Sequence, residues 1–402
     1  MPVFAQHILR LCALKHAISC GRFTPSGFGT RVCAEEGDDM TQTFDIAVFA
    51  GDGIGHEVTP VGKAVLDAAA ARCGFALKYA DLAGGAACWR DTGHEIPPAD
   101  LKRAGEADAI YLAAMGLPGV RYNDGREITP QISLRFHFGL YAGVRPVRPV
   151  PGVRAILADE RAAGMDFVII RESIEGLFAP KAKGSLTEDE ATETMLITRG
   201  VTEKLFDFSF RLAERRKAQG RAGLVTCVDK ANVFAAFYFM RRIAEERAAA
   251  YPDIPLNAAY VDAFAMTMVQ KPWAIDVAVT ENMFGDILSD LGAALMGGMG
   301  YAPSADIGDE HAVFQPCHGT APDIAGKGLA NPTAMILSGA MMLDYLDEIK
   351  GAPEAAQAAA LIRRAVDAAF APGELVTCEL GGDAGAAKVQ EAVLAQIGAL
   401  DP

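Results

Sequence analysis

Asp286 and Asp290 stand four residues apart in VTENMFGDILSDLGAALMGG (279–298), so on a helix they share one face. Neighbouring carboxylates repel unless a cation lies between them. A hard divalent ion such as Mg²⁺ or Mn²⁺ takes carboxylate oxygens and keeps other positions for water or substrate. The same spacing also suits an ordinary helix start, with Asp286 as a cap or a partner of the helix dipole. Arg135 and Arg145 lie in ISLRFHFGLYAGVRPVRP, and Arg171 ends the apolar run DFVIIR. A guanidinium at the end of an apolar segment can hold a carboxylate through two parallel hydrogen bonds, although a lone arginine more often stays solvated. Lys230 in VDKAN and Asp262 in YVD also end apolar runs. A lysine desolvated there beside a metal ion could handle protons, and a surface residue at a strand terminus fits the same pattern.

Two glycine-rich stretches complete the set. GDGIGHE (51–57) follows an apolar run, and such glycines let backbone N–H groups approach a ligand closely. The spacing of Gly51, Gly53 and Gly55 is not GxGxxG, and no GK[ST] follows, so neither the dinucleotide fingerprint nor the P-loop is present. FQPCHGTAPDIAGKGLANP (314–332) reads as a long ordered loop of the kind that binds ligands. An acidic residue in it, Asp323, would favour NAD by accepting from both ribose hydroxyls and would repel the extra phosphate of NADP.

Regular elements must position these residues. Apolar runs at 45–50, 108–116, 166–171, 224–230, 258–262 and 275–281 read as strands, and helical patterns separate them. A helix should follow Gly55 and stop at Gly74, and three more should cover 333–347, 354–370 and 384–399. Alternating strands and helices predict an α/β protein with a mainly parallel central sheet. The length of 402 residues and 51% hydrophobic content allow two domains, or one large domain with a deep cleft. A net charge of −14 argues against nucleic acid or an anionic membrane as partner, so an anionic ligand would need a locally basic pocket. The apolar runs are too short to cross a membrane. Eight scattered cysteines without a CxxC pair read as free thiols of a reducing compartment, and the expected location is the cytoplasm. Residues 1–43 differ from the rest: Arg10, Lys15, Arg22 and Arg31 precede the first acidic residue, Glu35. They read as an over-long start before Met40 or as a targeting segment, which would place the protein in the mitochondrial matrix.

Taken together, GDGIGHE, GVRP, VDKAN, YVD, TENMFGDILSD, HGTAPDIAGKGLANP and AMILSGAMML resemble the β-decarboxylating dehydrogenases of 3-isopropylmalate, isocitrate, homoisocitrate, tartrate and D-malate, in that family's order. The resemblance implies a two-domain α/β fold that is not a Rossmann fold, with an interdomain cleft. One domain would comprise 45–140 plus 297–402 and the other, with a dimer interface, 141–296. It implies that Arg135, Arg145 and Arg171 clamp the carboxylates of a small anionic 2-hydroxy acid, with Thr129 and Gln131 beside its variable group. Asp286 and Asp290 would bind Mg²⁺ or Mn²⁺ together with Asp262 of a second subunit, whose Lys230 would take the hydroxyl proton. Ile54, His318, Gly319, Ala321, Asp323, Ile324 and Asn331 would contact NAD. Two positions depart from the family pattern. RESIEGLF places Phe178 where a tyrosine would give the last proton, so Lys230 or a water would do so, or the natural reaction needs less from this step, or the subunit is a silent partner. REITPQISLR replaces the glutamate and leucines of isopropylmalate enzymes with a mixed wall whose Thr129 and Gln131 echo isocitrate enzymes.

Overall fold

The computed structural model describes residues 42–123, 125–179 and 184–402, so the extension read from 1–43 lies almost wholly outside the described residues. The chain runs β1 (Thr43–Gly51), α1 (Gly55–Cys73), β2 (Ala76–Asp81), α2 (Ala86–Thr92), α3 (Pro98–Gly105), β3 (Ala109–Ala114), α4 (Pro130–Phe138), β4 (Ala142–Val147) and β5 (Phe167–Glu172). A small hairpin of β6 (Ser185–Leu186) and β7 (Ala191–Thr192) leads into α5 (Arg199–Ala218), β8 (Val225–Asp229), α6 (Ala235–Ala248), β9 (Leu256–Tyr260), α7 (Val261–Gln270), β10 (Val277–Thr280) and α8 (Asn282–Met296). Then follow β11 (Pro303–Ile307), β12 (Ala312–Pro316), α9 (Thr333–Lys350), α10 (Pro353–Phe370) and α11 (Ala386–Ala399).

Ten strands form one sheet in the order β2-β1-β3-β12-β11-β4-β5-β10-β8-β9. The outer strands form two parallel blocks, β2-β1-β3-β12 and β5-β10-β8-β9. Between them β11 and β4 pair antiparallel to each other and to the strand on either side. The blocks therefore run in opposite directions, and β4 and β11 occupy the switch between them.

The strand sequences are apolar almost throughout because both faces are covered. Along β1, Phe44, Ile46 and Val48 enter the core under α1, α9, α10 and α11, whereas Ala47 and Phe49 face a second cluster with Ala104 and Leu134. Along β5, Phe167 and Ile169 point one way, and Val168 and Ile170 join the cluster under α5 and α6. This is the period-2 alternation of a pleated strand.

The expected strands and the four expected helices are present, with one difference. YVD is not all strand: β9 ends at Tyr260, and Asp262 sits in the first turn of α7, where a carboxylate faces the positive end of the helix. The strands β2, β4, β11 and β12 lie outside the apolar runs read from the sequence; in β4 Arg145 and Pro146, and in β11 Asp306, interrupt the pattern. The five described cysteines, Cys73, Cys88, Cys227, Cys317 and Cys378, are free. Among the described residues no helix is long and apolar enough to cross a membrane.

The turn after β1 is tied to the loop after β12. Ile54 N–H donates to the Thr320 carbonyl at 2.9 Å. Gly53 has φ +56°, and a Cβ there would lie 2.2 Å from the Thr320 oxygen, so only glycine fits. Gly53→Ala should lower stability by about 2–5 kcal/mol, from backbone strain plus overpacking, as read from the midpoint of denaturant unfolding.

Candidate active site

The switch strands and their neighbours enclose a cavity of about 250 Å³, lined among others by Met115, Gln131, Ile132, Arg135, Arg145, Arg171, Phe178, Asp286, Asp290, Cys317, His318 and Gly319. Its three arginines come from α4, β4 and β5, and all are buried. A fully buried carboxylate, Asp306 of β11, gathers two of them. It accepts from Arg135 Nε at 3.1 Å, Arg145 Nη2 at 3.0 Å and Gln315 Nε2 at 2.8 Å. Burial pushes the Asp306 carboxyl up, but the charges of Arg135 and Arg145 more than reverse this and hold it at about 2. Arg145 also donates to the Ala305 carbonyl at 2.8 Å.

Arg171 is held differently. Asn282, the first residue of α8, accepts from its Nε at 3.0 Å and its Nη2 at 2.8 Å, and donates to the Glu175 carbonyl at 3.0 Å. The third nitrogen of Arg171 donates to Asp286. Gly285 permits this approach, since a Cβ there would sit 2.6 Å from the Arg171 Cβ. Burial and then repulsion by Arg135 lower the Arg171 pKa to about 10, so it stays charged at neutral pH. The Phe178 ring lies 5.4 Å from the same guanidinium, within cation–π range.

Asp286 and Asp290 line the cavity from successive turns of α8. The helix cap is Glu281, which accepts from Phe284 N–H at 3.3 Å, so capping does not explain Asp286. Burial and then the Asp286 charge raise the Asp290 pKa, a repulsion that a bound cation would relieve. The pair therefore fits a hard divalent ion. It is not a full ligand set: among the described residues no group of three His, Cys, Asp or Glu could hold a metal.

Lys230 and Asp262 are not among the residues lining this cavity. They bond to each other at 2.5 Å, and this hydrogen bond lowers the pKa of Asp262. Asp229 shapes the turn by accepting from Ala231 N–H at 2.8 Å and from both sides of the Arg241 fork. The segments that carry the pair, and α8, expose several apolar side chains: Val233, Phe234 and Tyr238 at α6, Tyr260, Met266 and Val269 at α7, and Ile287 on α8.

Of the expected cofactor residues, His318 and Gly319 line the cavity. The half-buried His318 ring lies with Nδ1 2.9 Å from the Gly319 carbonyl, while its buried Nε2 has no partner. Burial lowers its pKa, so the imidazole is neutral at physiological pH. Ala321, Asp323 and Ile324 lie further along the loop, Asp323 exposed. Ala321 has φ 37°, the one positive φ of a non-glycine among the described residues. Asn331 is committed inside the fold: its Oδ1 accepts from Thr333 N–H and hydroxyl, and its Nδ2 donates to Glu379 at 2.7 Å. Ile54 is buried in the core, its N–H is spent on the Thr320 carbonyl and its own carbonyl accepts from Glu57 and Val58 N–H groups. Thr129 immediately precedes α4 and does not line the cavity, whereas Gln131 does.

Sequence reasoning missed four residues that set this geometry. Asp306 and Asn282 bind the arginines. Asp52 accepts from Ala86, Ala87 and Gly116 N–H groups, and Glu57 accepts from Gly326 and Gly328 N–H groups of the long loop. For Asp306, Asp52 and Glu57 the available signal was an acidic residue inside or beside an apolar run; Asn282 carried no such signal.

The isocitrate/isopropylmalate dehydrogenase family model matches residues 45–395. A 3-isopropylmalate dehydrogenase of Synechococcus sp. (strain JA-3-3Ab) is 41% identical over 83% of this chain and 87% of its own. A 3-isopropylmalate/3-methylmalate dehydrogenase of Methanocaldococcus jannaschii is 38% identical over 88% of this chain and 98% of its own. Among solved structures, isocitrate dehydrogenase from Methylococcus capsulatus superposes with a TM-score of 0.76 at 34% identity, covering 88% of this chain and 99% of that one. The chain belongs to the isocitrate/isopropylmalate dehydrogenase family. It is accordingly a β-decarboxylating oxidoreductase that acts on a CH–OH group.

Two outcomes are expected from these contacts. Asp306→Asn leaves two buried guanidiniums without their counter-charge and should cost about 3–5 kcal/mol in unfolding free energy. Glu172, next to Arg171, accepts from Ile174 and Glu175 N–H groups, yet burial raises its pKa to about 8. The unfolded chain releases this proton near a pH of about 4.3, so the stability it contributes is present below that pH and is lost as pH rises towards 8. The stability of Glu172→Gln relative to the natural chain should therefore rise with pH across that window and level off above it, in unfolding curves taken at several pH values.

Proposed function

We propose that the chain oxidises the 2-hydroxyl of a small malate-type dicarboxylic acid with NAD and releases its β-carboxylate, with Mg²⁺ or Mn²⁺ bound. The observation that carries this reading is the convergence of Arg135, Arg145 and Arg171 with Asp286 and Asp290 in one cavity of an acidic protein. The relatives are named for 3-isopropylmalate, 3-methylmalate and isocitrate, which share a malate skeleton and differ at C3. The segments 45–140 plus 297–402 and 141–296 act as two domains flanking the cavity, which accords with the two strand blocks.

The guanidiniums bind the two carboxylates and hold the 2-hydroxyl toward α8. A divalent ion held by Asp286 and Asp290 would supply the charge that eases deprotonation of the hydroxyl and formation of the enolate. NAD, along His318, Gly319, Ala321, Asp323 and Ile324, would supply the hydride acceptor. Lys230 takes the hydroxyl proton. It does so from a second copy of the chain, which also brings Asp262 to the metal site; the distance of this pair from the cavity lining and its exposed apolar surround support a homodimer with shared sites. Phe178 offers no proton, so the closing protonation falls to Lys230 or to water.

The test follows NADH formation with Mg²⁺ or Mn²⁺, NAD or NADP, and a panel of 3-isopropylmalate, D-malate, tartrate, isocitrate and homoisocitrate. NAD-linked turnover of one acid, abolished by chelator, is expected. Lys230→Ala and Asp286→Asn should each be inactive, and mixing them under subunit exchange should restore about a quarter of full activity, because half of the subunits pair unlike and each such pair has one intact site. Folded protein that binds NAD but turns over no acid would favour a silent subunit. No recovery on mixing would place each site within one chain.

A further inference from the structure

A second cavity, of about 650 Å³, opens between the end of α4, the β11–β12 turn and the start of α5. Among the described residues it shares no lining residue with the arginine cavity, and the proposed reaction leaves it unused. Its volume lies in the range of small-molecule sites. Phe138, Tyr141, Ile174 and Val201 give it an apolar wall. Exposed groups of both signs also line it: Lys204 on α5, and Asp309 and Glu310 on the turn. Lys204 and Asp309 form an ion pair that joins α5 to the turn.

These charges select the class of ligand. An anion would take Lys204 and leave Asp309 and Glu310 facing it. A cation would take the acids and leave Lys204 alone on α5. A zwitterion inserted into the pair keeps both charges partnered, its carboxylate on Lys204 and its ammonium on Asp309. The first N–H groups of α5 lack intrahelical partners, and its first turn carries no acid, so the carboxylate belongs at that end. The apolar wall then covers a side chain.

Both sides of the cavity are tied to the arginines. Gly139, in the lining, donates its N–H to the Arg135 carbonyl. Thr198, on the other side, donates its N–H to Glu175 at 2.8 Å. The Glu175 carbonyl in turn accepts from Asn282, which holds Arg171. A ligand that parts α5 from the β11–β12 turn therefore displaces Arg171 relative to Arg135.

We propose that this cavity is a regulatory site for an α-amino acid with a large apolar side chain, which opens the Lys204–Asp309 pair and weakens acid binding in the arginine cavity. The site itself is independent of the proposed reaction; the coupling rests on the arginine cavity being where the acid binds.

Calorimetric titration of the full chain with L-phenylalanine and L-methionine tests the site, with glycine, 3-phenylpropionate and 2-phenylethylamine for comparison. At least one of the two amino acids should bind. The two phenyl analogues should bind at least ~10-fold more weakly than L-phenylalanine, because each leaves one member of the ion pair alone. Glycine, which buries no side chain, should also be weak. Lys204→Ala and Asp309→Ala should each weaken binding by a similar factor and leave kcat/KM without amino acid nearly unchanged. The acid that turns over in the panel above should weaken amino-acid binding at least ~5-fold, and by reciprocity the amino acid should weaken acid binding equally, seen as a raised KM. No heat with either amino acid, equal binding of 3-phenylpropionate, or unchanged affinity in both variants would each overturn the site. Amino-acid binding that the acid does not alter would overturn the coupling. A panel without turnover would overturn the proposed reaction and the coupling with it, while the titration still decides the site.

Discussion

Three guanidiniums cannot be packed around one small cavity without counter-charge, and Asp306 provides it for two of them from the centre of the sheet. Its two oxygens meet Arg135, Arg145 and Gln315, so one carboxylate fixes side chains that arise from α4, β4 and β12. Fixing a guanidinium in advance matters because the side-chain entropy lost on binding a carboxylate is then already lost in the free protein. Burial alone would protonate Asp306; the arginines keep it ionised, and it keeps them oriented. Neither partner is stable at that place without the other.

The sheet makes this meeting possible. Parallel blocks direct their loops to one end, and ligands collect where strand direction reverses. Here the reversal takes two strands, β4 and β11, each antiparallel to both neighbours. Arg145 and Asp306 sit on that pair, so the polar centre is on rigid backbone. Arg171 from β5, Asp286 from α8 and His318 from the loop after β12 line the same cavity.

Much of this was legible in the sequence. The long apolar runs gave the parallel strands, because burial on both faces leaves little room for polar residues. The clustering of Arg135, Arg145, Arg171, Asp286 and Asp290 was implied by the resemblance of their motifs to the dehydrogenase family, since their positions alone suit solvated arginines and an ordinary helix start equally well. The two switch strands were not legible, since Arg145 and Asp306 are polar residues paid for by each other across 161 positions of sequence, and no local pattern shows a pairing of that range. Asp52 and Glu57 were missed for a related reason. Within GDGIGHE the glycines drew the argument, yet the acids do the tying, to backbone N–H groups as far away as Gly328. Asn331 showed the converse: it resembles a ligand contact in sequence, and in the fold its amide is used by Thr333 and Glu379.

The loop from Cys317 to Pro332 has few conformations left open to it. Thr320 binds it to Ile54 and Gly116, Glu57 grips Gly326 and Gly328, and Ala321 is held at a positive φ that alanine avoids in a free chain. An alanine there sacrifices some folded stability, of the order of 1 kcal/mol, relative to glycine. In exchange the unfolded and loosened states of the loop are fewer. The dinucleotide proposed to lie along this loop would meet a surface whose shape precedes it, so its affinity would reflect contacts rather than ordering, and its departure after each turnover would not require the loop to be rebuilt.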